Sequence, residues 1–386
     1  MRRSNKTIFR YALQAAALVA LSVPMKPLLA DTTLNSGTTT VSTSRNFGQG
    51  LFVATTGTAT MDVVAGGYAT NSYAYLGQNA SGVGTANVSG GTWANSETLT
   101  VGYDGTGTLN VTGGSVTSLV GYLGYNAGSV GAATVSSGGW ANSDVLIVGF
   151  RGGTGTLTVN GGSVTNSTGY LGYEAGSVGT ATVSSGTWAN SGNLTVGIHG
   201  TGTLTMNGGL VSVAGTLTKS GNGTINLNSG GTLQIGIGGG SGILNVSTLT
   251  NNGTLIFNRS DASTHSGILS GSGAVTKQGG GTLTLDGANS YSGVTTISGG
   301  VLALSGTGSI GTGDLDLGYG GVFDLTALAS GTYSLPSTGN LIGSGTLTGN
   351  GHTLAVLGAF QPGNSPGTVT VDMSWFSVNW NFAARA

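Results

Sequence analysis

The chain has 386 residues, of which 76 are glycine, 6% are charged and none is cysteine. That mixture excludes an ordinary enzyme composition, a disulfide-stapled scaffold and, with only 5 prolines and no Gly-X-Y period, a collagen. An apolar content of 38% with so little charge also excludes a plainly disordered chain, leaving short strands punctuated by glycine turns.

The N-terminus MRRSNKTIFRYALQAAALVALSVPMKPLLA sets Arg2, Arg3, Lys6 and Arg10 before an uncharged run from Tyr11 to Met25. This pattern predicts a secretory signal over residues 1–30, cleaved after Ala30. The run contains Pro24 and falls short of the roughly 20 apolar residues of a membrane span. Without the signal, 6 basic residues face 12 acidic ones, a formal charge of −6, so nucleic acid is not expected as a partner.

Residues 31–50, rich in Thr and Ser, are expected as an irregular polar lead or N-terminal cap. Over residues 51–214 the chain repeats itself. Tyr75, Tyr122 and Tyr170 open YLG motifs, Trp93, Trp140 and Trp188 open WANS motifs, and both series step by 47 and then 48 residues. Gly77, Gly102, Gly124, Gly149, Gly172 and Gly197 halve each unit, so the period is about 24 residues in two alternating flavours. Each half holds three short alternating apolar strands, the content of one coil of a β-solenoid. The predicted fold is all-β, a parallel β-helix of about 24 residues per coil. Leu109, Val111, Leu157, Val159, Leu204 and Met206 are its expected inward columns.

From 215 to 371 the Trp and YLG motifs give way to units such as GAVTKQGGGTLTLDGANSYSGVTTISGGVLAL, predicted as a second stretch of the same solenoid. Residues 51–371 then make roughly 13 coils, about 60 Å long. Residues 372–386 are expected as a C-terminal tail, in which Val378, Trp380 and Phe382 alternate like a strand.

Candidate chemistry is sparse. Asp104, Arg151 and His199 fill one slot of successive double coils and would stand roughly 10 Å apart, beyond the reach of proton transfer. Asp314 and Asp316 would share one strand face, with Asp324 eight residues on, and are read as solvated acids. His199, His265 and His352 lack metal-ligand spacing. No catalytic, cofactor-binding or metal-binding residue is expected, and no cofactor. The Tyr and Trp series would form ladders of rings about 10 Å apart, either an exposed platform for carbohydrate or buried packing, the latter preferred. The Thr-x-Thr pairs suggest an ice-ordering array, but Val130 with Ala132 and Val178 with Thr180 interrupt it.

Residues 273–302 resemble the autotransporter-associated β-strand repeat, through Gly273, Val275, Lys277, Gly279, the GTLTL with Leu283 and Leu285, Asn289, Tyr291 and Ile297. The segment QPGNSPGTVTV at 361–371 resembles one common near the C-terminal part of type V secretion passengers. The 47-residue units are similar to a repeat shared by autotransporters and PEP-CTERM proteins. The resemblance implies an exported passenger, folded as a right-handed parallel β-helix and displayed on, or released from, a Gram-negative outer membrane. It also implies an outer-membrane translocator barrel, for which the 15 residues after Val371 leave no room in this chain. The expected function is that of a non-enzymatic surface adhesin, stalk or self-association module, with self-association or a cell-surface or carbohydrate ligand as partner. The alternatives are a passenger cut off from its barrel with no role of its own, retained in the periplasm, and, less favoured, a polysaccharide-acting β-helix enzyme.

Overall fold

A computed structural model describes residues 30–363 and 368–378. The expected signal lies outside the described residues except for Ala30, as do residues 364–367, Trp380 and Phe382. The described residues hold strands and no helix, wound into a parallel β-solenoid of about 15 turns with about 23 residues in each.

Every strand pairs in parallel with its counterpart one coil away. Leu109 stands over Ala86 and under Ala133, Ala133 under Leu157, Leu157 under Ala181, and Ala181 under Leu204. The six residues expected to point inward are all fully buried. In the first half the coils keep the period read from the sequence. Farther along they shorten to 20 residues, as the stacked series Phe257, Lys277, Ile297 and Leu317 shows.

The coils of the first half have three faces, each named by a residue that recurs in its strands. Strands such as Gly57–Val63 and Gly82–Val88 form a threonine face, Tyr68–Asn71 and Thr92–Asn95 an asparagine face, and Gly50–Val53 and Tyr73–Leu76 a tyrosine face. Longer strands such as Thr106–Leu123 run round all three. The corner between the tyrosine and threonine faces is turned by glycines at positive φ, among them Gly102 at 75°. A Cβ there would sit 2.2 Å from the carbonyl oxygen of Val130, so the stack admits only glycine.

The two flavours of coil have a packing cause. Coils with Trp93, Trp140 or Trp188 carry Ala86, Ala133 or Ala181 in the neighbouring inward column, while the coils between them carry Val116 or Val164 with Leu109 or Leu157. Large and small side chains thus trade places from coil to coil at nearly constant interior volume.

The strands extend beyond the expected limits of the solenoid. Thr32–Leu34, Gly37–Val41 and Ser44–Asn46 pair with the next coil, so residues 31–50, expected as irregular, are already a coil with three strands. A few inward apolar residues suffice there, Val41 and Phe47 being buried. At the other end Thr370–Val378 pairs with Thr346–Val356, carrying paired structure past residue 371. On the threonine face Val130 stacks on Thr154 and Ala132 on Thr156, so the Thr-x-Thr array is interrupted where the sequence indicates.

Candidate functional site

The two aromatic series separate. Trp93, Trp140 and Trp188 point inward and are buried to within 1%. Each indole N–H finds an acceptor one coil back: Asn71 Oδ1 at 2.8 Å, Ser118 Oγ at 3.3 Å and Asn166 Oδ1 at 2.7 Å. These acceptors belong to a buried polar ladder in which Asn71 Nδ2 donates to Asn95 Oδ1 and Asn166 Nδ2 to Asn190 Oδ1, both at 2.6 Å. The Trp series is packing, satisfied by its own corner.

The Tyr series points outward. Phe52, Tyr75, Thr100, Tyr122, Ile147 and Tyr170 form one column along the tyrosine face. Alternate coils lack a ring in that column, and the following turn supplies one. Tyr103, Tyr125, Phe150 and Tyr173 each follow a corner glycine and lean back over the strands. Tyr75 meets Tyr103 at 4.9 Å between ring centroids, Tyr103 meets Tyr125 at 4.9 Å, Tyr125 meets Phe150 at 5.0 Å, and Phe150 meets Tyr173 at 5.6 Å. The result is a continuous strip of half-buried tyrosines linked through the buried Phe150, with rings at about half the separation expected from the YLG motifs alone. Burial pushes the hydroxyls of Tyr75, Tyr122 and Tyr170 above their ordinary pKa, with neighbouring tyrosines adding to the effect. The strip was half legible in sequence: the aromatic residue after VG or LG recurs four times, at Tyr103, Tyr125, Phe150 and Tyr173.

Carboxylates edge the strip on both sides. Asp31, Glu97 and Asp144 lie where the chain enters the face, and Tyr73 Oη donates to Asp31 Oδ1 at 3.3 Å. Asp104 and Glu174 lie where it leaves. Arg151 stands among them with its guanidinium carbon 5.0 Å from the Phe150 ring centre and 5.5 Å from that of Tyr125. Its Nη1 donates to Tyr125 Oη at 3.4 Å, and its Nε is 3.8 Å from Glu174.

The remaining sequence candidates do not converge. Asp104 accepts from Asn126 Nδ2 at 2.8 Å, Arg151 is engaged as described, and His199 is exposed. Asp314 accepts from the backbone and side-chain nitrogens of Asn340, at 2.8 and 2.9 Å. Asp316, two residues away, has its pKa raised by burial and then by Asp314. Asp324 belongs to a different sheet and accepts from its own Thr326 N–H. No cluster of three or more metal-ligating side chains occurs among the described residues.

Sequence reasoning missed two inward charges. Lys277 occupies a core column and is 2% exposed, its ammonium donating to the carbonyls of Gln278, Gly279 and Gly299 at 2.8, 2.9 and 3.1 Å. Arg259 ties the glycine-rich turn above it through Gly242 O at 2.6 Å and Gly240 O at 3.2 Å, and pairs with Asp261 at 2.8 Å.

Lys277 and the buried Tyr291 fall inside residues 275–304, which match the passenger-associated-transport-repeat family. This stretch of the solenoid is a passenger-associated-transport repeat. A stretch of 103 residues, 26% of this chain, is 36% identical to the adhesin BmaC autotransporter of Brucella suis biovar 1 (strain 1330). That alignment covers 3% of the relative's length. No solved structure matches the chain. Within the passenger repeat, Tyr291 Oη meets Thr295 Oγ1 at 2.7 Å and Lys277 closes the corner carbonyls, so its marked residues act as internal fastenings of a 20-residue coil.

Proposed function

We propose that this chain is an exported, non-enzymatic passenger segment that serves as a surface adhesin, stalk or self-association module. The observation that carries the reading is the tyrosine face, a stack of coils whose repeats build one uninterrupted aromatic strip, while no three metal-ligating side chains cluster among the described residues. Contiguous part-exposed aromatic surface of this kind marks contact with another molecule, and a rigid solenoid holds it at a fixed distance from its base. The similarity to an autotransporter adhesin supports the same reading, over the segment aligned.

Fractionation of cells expressing the chain tests it. An epitope tag is placed after Gly221, an exposed turn with open space around it, so that the stack is undisturbed. Protease sensitivity of the tag on intact cells, together with clumping or adherence to a surface, is the expected outcome. A tag protected inside the periplasm, with no change in clumping, would refute the adhesin reading.

A further inference from the structure

The tyrosine face holds more charge of one sign than its share. Of the 12 acidic residues in the chain, five border this strip: Asp31, Glu97, Asp104, Asp144 and Glu174. Between residues 30 and 214 the only basic residues are Arg45, which lies over Phe47, and Arg151. Four of the five carboxylates therefore make no ion pair among the described residues.

Arg151 shows what such a surface can hold. One guanidinium here uses two ring faces, a tyrosine hydroxyl and a carboxylate at once. The same three elements recur along the strip with no cation on them. Tyr73 stands beside Asp31, and the charges of Glu97 and Asp144 are felt at Tyr73 and at Tyr122 and Tyr170.

We propose that the tyrosine face docks an extended basic segment of a partner polypeptide, whose arginine and lysine side chains lie over the rings between the two rows of carboxylates. Six strand spacings separate the coil of Asp31 from that of Glu174, about 29 Å, which matches about nine residues of extended chain. That length sets a peptide apart from a single small cation. The acidic rims favour it over a neutral glycan, because carboxylates desolvated beneath an uncharged sugar would lose hydration with no compensating charge. Arg151 then acts as an internal competitor that covers part of the surface.

This inference rests on the adhesin reading but is tested apart from cells. The purified full chain is titrated into a fluorescent nine-residue peptide of alternating arginine and serine, with citrulline replacing arginine in a control peptide, and anisotropy is read at low and at physiological salt. Binding of the arginine peptide is expected to weaken as salt rises, with little binding of the citrulline peptide. Glu97→Gln with Asp144→Asn should weaken it about tenfold at low salt. Tyr122→Leu with Tyr170→Leu, which keeps apolar cover on the strands, should weaken it roughly fivefold. Arg151→Ala should tighten it roughly threefold, a gain that lost packing would not produce. Thr108→Ser with Thr156→Ser, on the threonine face, should change nothing. Equal binding of both peptides, or no gain from Arg151→Ala, would overturn the proposal. So would salt-independent binding of a neutral oligosaccharide in place of the peptide. Cells that still clump when the peptide no longer binds would leave the adhesin reading standing and this inference refuted.

Discussion

Trp188 donates its indole N–H to Asn166 Oδ1 of the preceding coil at 2.7 Å, and both side chains are fully enclosed. The bond lets a large aromatic residue enter the core without an orphaned donor, and Asn166 passes the bonding on by donating to Asn190. At the middle repeat the ladder is weaker. Ser118 takes the place of the amide, Trp140 reaches it at 3.3 Å, and Asn142 Nδ2 has no partner.

Ser118→Asn should give Trp140 a carboxamide acceptor, and should replace the Ser118 hydroxyl that donates to Asn142 Oδ1 at 2.7 Å with the amide donor seen in the other repeats. A gain of about 0.5–1.5 kcal/mol is expected, read as a higher midpoint in guanidinium at unchanged slope. No gain would mean that the Gly121 corner, where Asn142 Oδ1 and Trp140 already leave no room for a Cβ, cannot take the longer side chain.

The exchange of Trp188 and Ala181 against the neighbouring Val164 and Leu157 makes a coupled pair of substitutions informative. Trp188→Val alone should cost about 3–5 kcal/mol by opening a cavity, and Ala181→Leu alone about 1–3 by overpacking. Together they turn the coil into its neighbour's flavour. The double variant should then recover a kcal/mol or more relative to the sum, measured as the coupling energy of a double-mutant cycle. Strict additivity would show that the two columns do not share volume.

His265 supplies the acid sensitivity. It is 3% exposed, its Nδ1 lies 3.2 Å from the carbonyl oxygen of Leu244, which can only accept, and its Nε2 has no partner. Burial pulls its pKa below 6.5, opposed by the Leu244 hydrogen bond and by the nearby Asp286. The unfolded chain thus holds the proton more tightly. Stability should be full above pH about 6.5 and fall as the pH drops below it, and His265→Gln should flatten the slope between pH 7 and 5. Equal slopes in the two proteins would assign the loss to other groups.

Lys277 acts at the opposite end of the scale. Burial lowers its pKa to about 8 from 10.5, so stability should rise with pH between those values, as the unfolded chain sheds its extra proton. Lys277→Met keeps the apolar stem but leaves three corner carbonyls without their donor, and should cost about 1–3 kcal/mol near neutral pH. The variant should also lose the alkaline rise. Thermal melts of both proteins across that range check both statements.

Much of the fold was legible because a solenoid repeats one local solution. The spacing of Tyr75, Tyr122 and Tyr170 and the alternation at Leu157 and Val159 report the coil length and the inward register directly. The candidate site was less so. YLG announced rings on every second coil, but Tyr103 and Phe150 fill the gaps from a turn whose direction no strand period encodes. Lys277 entered only as a residue of the repeat motif, since only the stacked corner reveals three carbonyls converging on one inward position.

The sequence by itself determined the strands, the repeat and the buried columns, because alternation and glycine placement act within a few residues. Only the tertiary structure decided that the Trp series faces in, that the Tyr series faces out, and that five carboxylates gather beside it. Those are relations between residues more than twenty positions apart, brought within contact by stacking one coil on the next.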